Sequence, residues 1–530
     1  TLTPSPVIQM IKACEYLDRF PYGCTEQTIN KLIPRLMVAK LLENKNYSDL
    51  MPDILKESSF RGIDEIIKKI EDFQNDDGTW GWWNGDRGNA YLTGYAMFSL
   101  FLLKQLGFAI NEEITSNGIY AMERFFEDAT KADSSEISYL LYVYAIYGKW
   151  NHGAFKRIIS SEQLTPYQAA NLLKAVAILS FRDSYNSLQD FEIKEVIEGK
   201  KLLTKQISDF AKRDNKGAYW SATKEEEYSW PGTDLEITAH VLSALIMAGD
   251  TSSLVTDAVR YISSSFKGEA WASTKESSTV ILALCDYFAD KDIDFKRSGK
   301  INISVNNKNI GDIDYNISGG KDLQELQKTF PIDRREKSRD YRISVKGDFK
   351  GGVISATLTG SLYFKPKGFF SFIKSQERSI KNLSKGITLY REFYRLSRVR
   401  DQNMEEFFVP QNIEENEKIR VGEEILVKVK FLCDENYGFL MLEDMLPSGF
   451  EVIKESAYDE FIPYSHVERR DNRMVFFFTE STKGRVYEVG YIMRAELPGS
   501  FIMRPARLSS MYEEKIQGWS KPVIIDVVNE

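Results

Sequence analysis

Apolar residues in the first part of the chain, to about residue 290, recur at three- and four-residue spacing within segments opened by polar caps. Each segment is long enough for roughly three helical turns, which predicts buried α-helices. The segments start roughly 30 to 70 residues apart, which fits a repeating unit of one inner and one outer helix. The clearest are "TGYAMFSLFLLKQLG" (93–107), "SYLLYVYAIYG" (138–148), "YQAANLLKAVAILS" (167–180), "EITAHVLSALIMAG" (236–249) and "STVILALCDYF" (278–288).

A second element recurs between these segments: "GTWGWW" (78–83), "GAYWSA" (217–222) and "GEAWAS" (268–273). A glycine turn followed by tryptophan suits a loop that closes the end of a helical barrel with its indole. Together the helices and loops predict a closed ring of helix pairs, an all-α α/α toroid, over residues 1–292.

The pattern changes near residue 296, where "GKINISVNNKNIGDIDYNI" (299–317) alternates apolar and polar residues around an Asn-Asn turn. This is typical of a β-hairpin, and the β-rich run 340–364 extends it into a small β domain over residues 293–366. Residues 367–384 show no clear periodicity and are interpreted as a linker.

A second β domain is predicted over residues 385–530, because several short alternating strands separated by turns favour a β-sandwich. Its strands include "ITLYREFYRL" (387–396), "EEILVKVKFLCD" (423–434), "RMVFFFTE" (473–480) and "VYEVGYIMRAEL" (486–497).

Length and composition fit several globular domains, with 530 residues, 43% of them hydrophobic, and a net charge of −8. That charge argues against a nucleic-acid partner or an anionic membrane surface, either of which would favour a basic face. The longest apolar runs are about half the roughly 20 residues that span a bilayer. The opening "TLTPSPVIQM" lacks the pattern of a signal peptide and an initiator methionine, so a mature product or an excised fragment is expected.

The four cysteines are too few and too scattered for a disulfide framework. Cys14, Cys285 and Cys433 continue apolar faces and are expected to be buried structural thiols. Cys24 is the exception, because it follows Gly23 in a polar turn within "RFPYGCTEQTIN" (19–30).

The neighbours of Cys24 discriminate among its roles. A zinc site needs a second nearby cysteine or clustered histidines, and His152, His240 and His466 are widely separated, so no metal or cofactor is predicted. A papain-like nucleophile needs a histidine base. His152 or His240 could supply it, but His240 stands on an otherwise apolar helix, which is typical of a core or rim histidine.

A further arrangement is an internal thioester, in which the Cys24 thiol displaces ammonia from the side-chain amide of Gln27. Residues three apart at a helix start point to the same side, so the spacing permits it. The product is an activated acyl group from which water must be excluded, a task suited to Phe20, Tyr22 and a lid from another domain.

The stretch "PYGCTEQ" (21–27) resembles the thioester motif of the alpha-2-macroglobulin and complement family, P-Y-G-C-x-E-Q, at every fixed position. "DLEITAHVLSAL" (234–245) and "WASTKESSTVILAL" (271–284) resemble late helices of that family's thioester domain. The resemblance extends over the whole chain. It implies an α/α toroid with the motif near its start, then a CUB-like or macroglobulin-like β domain, then a macroglobulin-like β-sandwich.

The last domain points to the bacterial branch. "REFYRL" (391–396), "EDMLPSGFEV" (443–452) and "RAELPGSFIMRPARLSSMY" (494–512) resemble the terminal domain of bacterial alpha-2-macroglobulins. The resemblance implies that Met511 and Tyr512 shield the thioester. The alternative is that they end a strand and pack only within their own sandwich.

In this family a protease cuts an exposed bait segment, and the uncovered thioester acylates a lysine of the attacker. The resemblance therefore implies a single-use trap for endopeptidases and not an enzyme, with Cys24 as the leaving group and Gln27 as the electrophile. Glu26 would orient or protonate, or would simply cap the helix. No histidine stands near 131–141, where some complement proteins have one, so direct attack by amines is expected.

The resemblance also implies a periplasmic or cell-surface location, a monomeric and membrane-anchored full-length protein, and a bait that precedes this chain. Two alternative functions would use parts of the same sequence. An α/α-toroid enzyme such as a terpenoid cyclase or glycoside hydrolase would use acidic clusters, but the Asp pair at 76–77 lacks the further Asp of a diphosphate site. An adhesion module would use the same thioester to attach to surfaces.

Overall fold

The structure is a computed structural model, in which the chain divides into two compact units, Thr1–Gly360 and Ser361–Glu530. The structure describes residues 2–3, 6–44, 55–56, 62–128, 132–161, 164–181, 189–223, 232–289, 297–305, 308–317, 343–347, 355–356, 384–400, 406–414, 417–454, 464–513 and 515–529. The interpreted linker at 367–384 therefore lies, except for Ser384, outside the described residues.

Helices dominate the first unit. The described ranges contain α1 (Pro6–Arg19), α2 (Thr25–Asn44), α3 (Ile63–Asp72), α4 (Ala90–Gln105), α5 (Glu112–Glu127), α6 (Ser134–Ile146), α7 (His152–Ile159), α8 (Pro166–Phe181), α9 (Asp190–Phe210), α10 (Asp234–Met247), α11 (Ser253–Ser264) and α12 (Thr274–Ala289).

The helices close into a ring. Each even-numbered helix packs on the next, from α2 through α4, α6, α8 and α10 to α12, and α12 packs back on α2. The odd-numbered helices lie outside and pack on these inner helices. The predicted α/α toroid is thus confirmed, and each of the five predicted segments lies in an inner helix.

The sequence explains the two layers. The inner helices are covered on all sides by neighbours and are apolar around most of their circumference, as α6 is from Ile137 to Ile146. The outer helices carry one apolar stripe, such as Ile63, Ile67 and Ile70 of α3. Side-chain N-caps from Asn, Asp, Ser or Thr begin most helices for which a cap is described, and Asp133 and Glu136 form a capping box on α6.

The glycine-tryptophan loops have one role in common. Each indole N–H donates to an isoleucine carbonyl in the last turn of the preceding outer helix, where a carbonyl lacks the regular i+4 partner of the helix interior. The pairs are Trp80 with Ile70 at 2.7 Å, Trp220 with Ile207 at 2.7 Å and Trp271 with Ile262 at 3.0 Å.

Two of these loops require their glycine. Gly78 has φ of 80°, and a Cβ there would lie 2.4 Å from the Asn117 carbonyl oxygen. A Cβ on Gly217 would lie 2.1 Å from the Asp257 oxygen. The glycines therefore let the loop backbones pass directly against outer helices.

The strands of the first unit are short or form a hairpin: β1 (Leu2–Thr3), β2 (Lys212–Arg213), β3 (Ala218–Tyr219), β4 (Arg297–Val305), β5 (Lys308–Ile317), β6 (Ile343–Gly347) and β7 (Ser355–Ala356). The predicted hairpin is confirmed as β4 antiparallel to β5, with β6 on the other side of β4. Strand β1 pairs with β7, so the start of the chain joins the β-rich end of this unit. Most of 340–364 lies outside the described residues.

The second unit is built from strands: β8 (Ile387–Arg400), β9 (Glu406–Asn412), β10 (Ile419–Arg420), β11 (Glu424–Cys433), β12 (Tyr437–Met445), β13 (Phe450–Lys454), β14 (His466–Arg470), β15 (Arg473–Ser481), β16 (Val486–Ala495), β17 (Gly499–Met503), β18 (Arg507–Ser510), β19 (Gln517–Trp519) and β20 (Val523–Val528).

These strands form two five-stranded sheets, in the orders β13-β16-β11-β8-β9 and β14-β15-β12-β18-β19, and a three-stranded sheet β10-β20-β17. Alternate residues of facing strands meet in one core, for example Val427, Val429 and Phe431 with Leu440 and Leu442. The prediction that the last part of the chain is built from β-sheets is confirmed. No helix of the described residues has both the length and the apolar content needed to cross a membrane.

Candidate functional site

The motif 21–27 forms the start of inner helix α2. The Thr28 N–H donates to the Cys24 carbonyl at 2.8 Å, which makes Cys24 the N-cap of the helix and Gln27 its third residue. At this spacing a glutamine side chain can reach back to the N-cap N–H, and the Cys24 N–H donates to Gln27 Oε1 at 3.3 Å. Ordinary helix capping therefore draws the carboxamide of Gln27 to Cys24.

Both residues are removed from solvent, each being 1% exposed. Among the described residues the Gln27 amide nitrogen is buried without a hydrogen-bond partner. A buried donor without a partner is unfavourable, so losing that nitrogen would break no hydrogen bond and would relieve an unpaired group. The carbonyl oxygen, in contrast, is held.

Burial raises the pKa of the Cys24 thiol well above its usual value, and the charge of Glu26 raises it further. A free thiol here would stay protonated, which is unfavourable for a papain-like nucleophile. In a thioester, the same environment makes the sulfur a poor leaving group while the site stays closed.

Glu26 is fully buried and begins a chain of polar contacts. Asn30 donates through its amide to Glu26 Oε1 and accepts from the Tyr95 hydroxyl at 2.5 Å. The Tyr95 hydroxyl also lies 3.0 Å from Ser278 Oγ. Glu26 is thus tied to α4 and α12, and neither Asn30 nor Tyr95 was predicted from the sequence.

The first turn of α2 is also held by the "GTWGWW" loop. The Thr25 N–H donates to the Trp82 carbonyl at 2.9 Å, and the Thr25 hydroxyl donates to the Gly81 carbonyl at 2.7 Å. On the other side, Lys69 Nζ donates to the Gly23 carbonyl at 2.9 Å. The glycine-tryptophan repeat predicted this loop, but it did not predict that the loop contacts the motif. No sequence feature singled out Lys69.

The two aromatic residues before the motif pack on each other. The Phe20 and Tyr22 rings lie 5.5 Å apart, edge to face, with Tyr22 buried and Phe20 half-buried. Their shielding of the thioester remains a prediction.

Met511 and Tyr512 lie in the turn after β18 of the second unit and are half-buried. The Met511 N–H donates to the Phe439 carbonyl at 2.9 Å, and the Tyr512 ring lies 5.4 Å from that of Phe439. Phe439 has φ of 54°, which is costly for a bulky residue. Its neighbours Gly438 and Leu440 pair with β15, whereas Phe439 has no partner in that register. The shielding role of both residues also remains a prediction.

The three histidines have other partners. His152 Nδ1 lies 2.6 Å from Glu195, His240 Nδ1 lies 3.0 Å from Lys174 Nζ, and His466 lies on β14 of the second unit. Asp77, of the acidic pair at 76–77, accepts from the Thr79 hydroxyl and so shapes its own loop. Within the described ranges, no three His, Cys, Asp or Glu side chains come together as metal ligands.

All four cysteines are buried and unbridged. The expectation of buried structural thiols is met at Cys14, Cys285 and Cys433. Cys24 is equally buried, although its sequence reads as a polar turn. The ring closes over that turn, which a local pattern does not reveal.

Two family models match separate parts of the chain. Residues 4–135 match the A-macroglobulin TED domain, and residues 386–515 match the bacterial alpha-2-macroglobulin MG10 domain. Among curated proteins, an alpha-2-macroglobulin of Rickettsia conorii is 22% identical over 547 residues, covering 100% of this chain and 25% of its own length. One of Thermotoga maritima is 25% identical over 268 residues, covering 50% of this chain and 14% of its own length.

Solved structures share the fold. Salmonella alpha-2-macroglobulin reacted with methylamine has a TM-score of 0.64 at 17% identity, over 99% of this chain and 31% of that one. A native Escherichia coli alpha-2-macroglobulin spanning domain MG7 to the C-terminus has a TM-score of 0.63 at 16% identity, over 99% of this chain and 76% of that one.

The TED-domain match assigns the helical ring to the alpha-macroglobulins, and the solved structures share its order of a helical ring followed by sheet-rich domains. With its MG10 domain, the chain belongs to the bacterial alpha-2-macroglobulins and corresponds to their C-terminal region. It spans a quarter or less of the length of these two curated relatives.

Proposed function

We propose that Cys24 and Gln27 form an intramolecular thioester, and that this chain is the thioester-bearing part of a broad-spectrum covalent protease trap. The observation that carries the proposal is the contact of Gln27 Oε1 with the Cys24 N–H inside a buried helix start. The membership in the bacterial alpha-2-macroglobulins supports it.

The bond would form by attack of the Cys24 sulfur on Cδ of Gln27. A carbon–sulfur bond forms, and the amide nitrogen leaves with the thiol proton as ammonia. The Cys24 N–H bonded to the carbonyl oxygen stabilises the negative charge that develops there. The unpartnered amide nitrogen is the group that departs.

The trap would fire once. A lysine amine of the attacking endopeptidase attacks Cδ of Gln27 and forms an amide, while the sulfur leaves and takes a proton to become the Cys24 thiol. Water would compete and leave Glu at position 27. That methylamine reacted with the Salmonella relative supports attack by small primary amines. The role implies a location outside the cytoplasm, in the periplasm or at the cell surface, and calls for no cofactor.

Intact mass and thiol counting on freshly purified chain test the bond. We expect a mass lower by one ammonia than the sequence requires, and one thiol fewer than the four cysteines under denaturation. Methylamine should add its own mass to the thioester form and release the missing thiol.

Cys24→Ala should abolish the mass deficit, whereas Cys14→Ala, which removes an equally buried thiol outside the motif, should retain it. A wild-type chain with full mass, four thiols and an intact Gln27 would refute the thioester. A mass that shows Glu at position 27 would instead identify hydrolysis after the bond had formed.

The protease partner is tested with the full-length protein. Incubation with trypsin should give an adduct that survives boiling in SDS and that is absent from the Cys24→Ala variant. A thioester that is present but gives adducts only with non-protease surface amines would overturn the trap and favour an adhesion role.

A further inference from the structure

The ring of inner helices encloses a cavity of about 450 Å³ that the thioester chemistry does not use. All six inner helices line it, and on α2 its lining residue is Met37, more than three turns along the helix from Cys24. Tyr95 lines the cavity and also ends the polar chain from Glu26, but neither Cys24 nor Gln27 lines it.

The cavity wall is largely apolar and aromatic. Phe98, Phe101, Ile178 and Leu282 are half-buried residues of the wall, on three different helices. Four buried tyrosines also line it: Tyr91, Tyr95, Tyr139 and Tyr142. Tyr91 stacks on both Tyr95 and Tyr139, with ring centroids 5.8 and 5.2 Å apart. Such a lining suits the hydrocarbon body of a small molecule.

One cation stands in this wall. Lys174 of α8 is 3% exposed, and its Nζ lies 4.2 Å from the Tyr142 ring centroid and donates to His240 Nδ1 at 3.0 Å. Burial lowers the pKa of His240 well below its usual value, so its imidazole is neutral and accepts this bond. Among the described residues no carboxylate lies within ion-pair distance of Lys174.

Asp286 of α12 also lines the cavity and its charge favours the ammonium form of Lys174, but it is not in ion-pair contact with it. A buried ammonium without an ion-pair partner is unfavourable, and structures rarely keep one without a use. Lys174 has three donor hydrogens, and one of them is used in the hydrogen bond to His240. The ammonium group also lies over the face of the Tyr142 ring. An acceptor entering the cavity could take the rest. A carboxylate would supply the ion-pair partner that Lys174 lacks.

We propose that this cavity is a binding site for a small amphipathic carboxylate, with the acid group on Lys174 and the hydrocarbon body against the aromatic wall. The volume fits an unbranched acid of medium chain length. The proposal does not depend on the thioester.

Decanoate is a suitable probe, and calorimetric titration of the full chain with it should show saturable binding at one site. Decanol, which has the same chain without the charge, should bind at least tenfold more weakly, because a charge-assisted hydrogen bond contributes about that factor.

Protonation gives a second readout. Burial lowers the pKa of Lys174 to about 7, while the charge of Asp286 on α12 raises it. The other titratable groups facing it, His240, Tyr139 and Tyr142, stay neutral because burial shifts their pKa values away from the charged form. Decanoate affinity should therefore fall about tenfold per pH unit above 7, and binding at pH 8 should take up a proton.

Lys174→Met keeps the length of the side chain and removes the charge. It should weaken decanoate at least tenfold, abolish proton uptake and leave decanol binding unchanged, while the thermal midpoint stays equal or rises. Lys104→Met, on an exposed lysine of α4, is the matched control and should bind as wild type.

No saturable decanoate binding to the wild type would overturn the proposal, as would equal binding by a folded Lys174→Met variant. If that variant fails to fold, proton uptake by the wild type on binding decanoate at pH 8 tests whether Lys174 is the anchor. Decanoate that binds without proton uptake at pH 8 also excludes Lys174 as the anchor.

Discussion

At the scale of single residues, burial of Cys24 has opposite effects on the two states of the proposed bond. While the site is closed, the raised pKa of the thiol makes sulfur a poor leaving group, which slows hydrolysis. When the site opens to water, the pKa falls towards its usual value and the sulfur leaves more easily. Exposure alone would therefore raise the reactivity of the acyl group.

Glu276, in the first turn of α12, is a second residue whose chemistry is set by burial. Desolvation, with the nearby charge of Glu236, raises its pKa from 4.5 to about 7. The folded state therefore binds this proton more tightly than the unfolded state. Its ionisation opposes folding increasingly as the pH rises from about 4.5 to 7.

Glu276→Gln should remove this penalty. We expect the free energy of unfolding of the helical ring to exceed that of wild type by on the order of 3 kcal/mol at pH 8, and the difference to vanish near pH 4.5. Urea unfolding at several pH values, followed by tryptophan fluorescence, measures it. The exposed Glu269→Gln variant serves as control, and parallel pH curves for wild type and Glu276→Gln would contradict the assignment.

At the scale of elements, the ring repeats the glycine-tryptophan loop, and one of these loops also contacts the first turn of α2. Trp80 and Trp220 each cap an outer helix, and the backbone N–H of each donates to a threonine of the next inner helix, Thr93 or Thr238, at 3.1 Å. Only the Trp80 loop continues to Gly81 and Trp82, whose carbonyls hold Thr25.

This difference yields a paired prediction. Trp80→Phe and Trp220→Phe each remove an indole donor and leave a helix carbonyl unpaired, so both should lower the stability of the ring by about 2–3 kcal/mol. Only Trp80→Phe should also shorten the half-life of the thioester, measured as release of the Cys24 thiol in buffer. Equal half-lives in the two variants would contradict a special role for the Trp80 loop.

At the scale of the whole molecule, Cys24 and Gln27 are buried, while Gly23 beside them is half-buried and Pro21 is exposed. This exposed edge of the motif is where the proposed bond needs protection from water. The resemblance assigns that protection to Met511 and Tyr512. Within the second unit, the Phe439 carbonyl accepts from the Met511 N–H, and the backbone of Phe439 has a costly positive φ. Such strain is typically kept where a function requires it.

Tyr512→Gly tests this assignment. We expect methylamine to release the Cys24 thiol at least tenfold faster than in wild type, with little change in the unfolding midpoint, because the side chain is only half-buried. Tyr390→Gly, on a tyrosine of the same unit that is 60% exposed, is the control and should react at the wild-type rate. Unchanged reactivity in Tyr512→Gly would contradict a shielding role for Tyr512 and would limit the role of its side chain to packing on Phe439.

Local patterns in the sequence were enough to predict the inner helices, the tryptophan loops, the strands of the last domain and the Cys24–Gln27 motif. Each rests on spacing within a few residues, where helix and strand periodicity act directly. Membership in the bacterial alpha-2-macroglobulins also followed from short motifs.

The surroundings of those residues depend on how the distant helices pack together. Lys69 on Gly23, Tyr95 between Asn30 and Ser278, and the cavity around Lys174 all join side chains that ring closure brings together from distant helices. The physical reason is that a local pattern specifies which face of a helix is buried, but not which neighbour covers it. That choice belongs to the closed ring, in which α12 returns to α2.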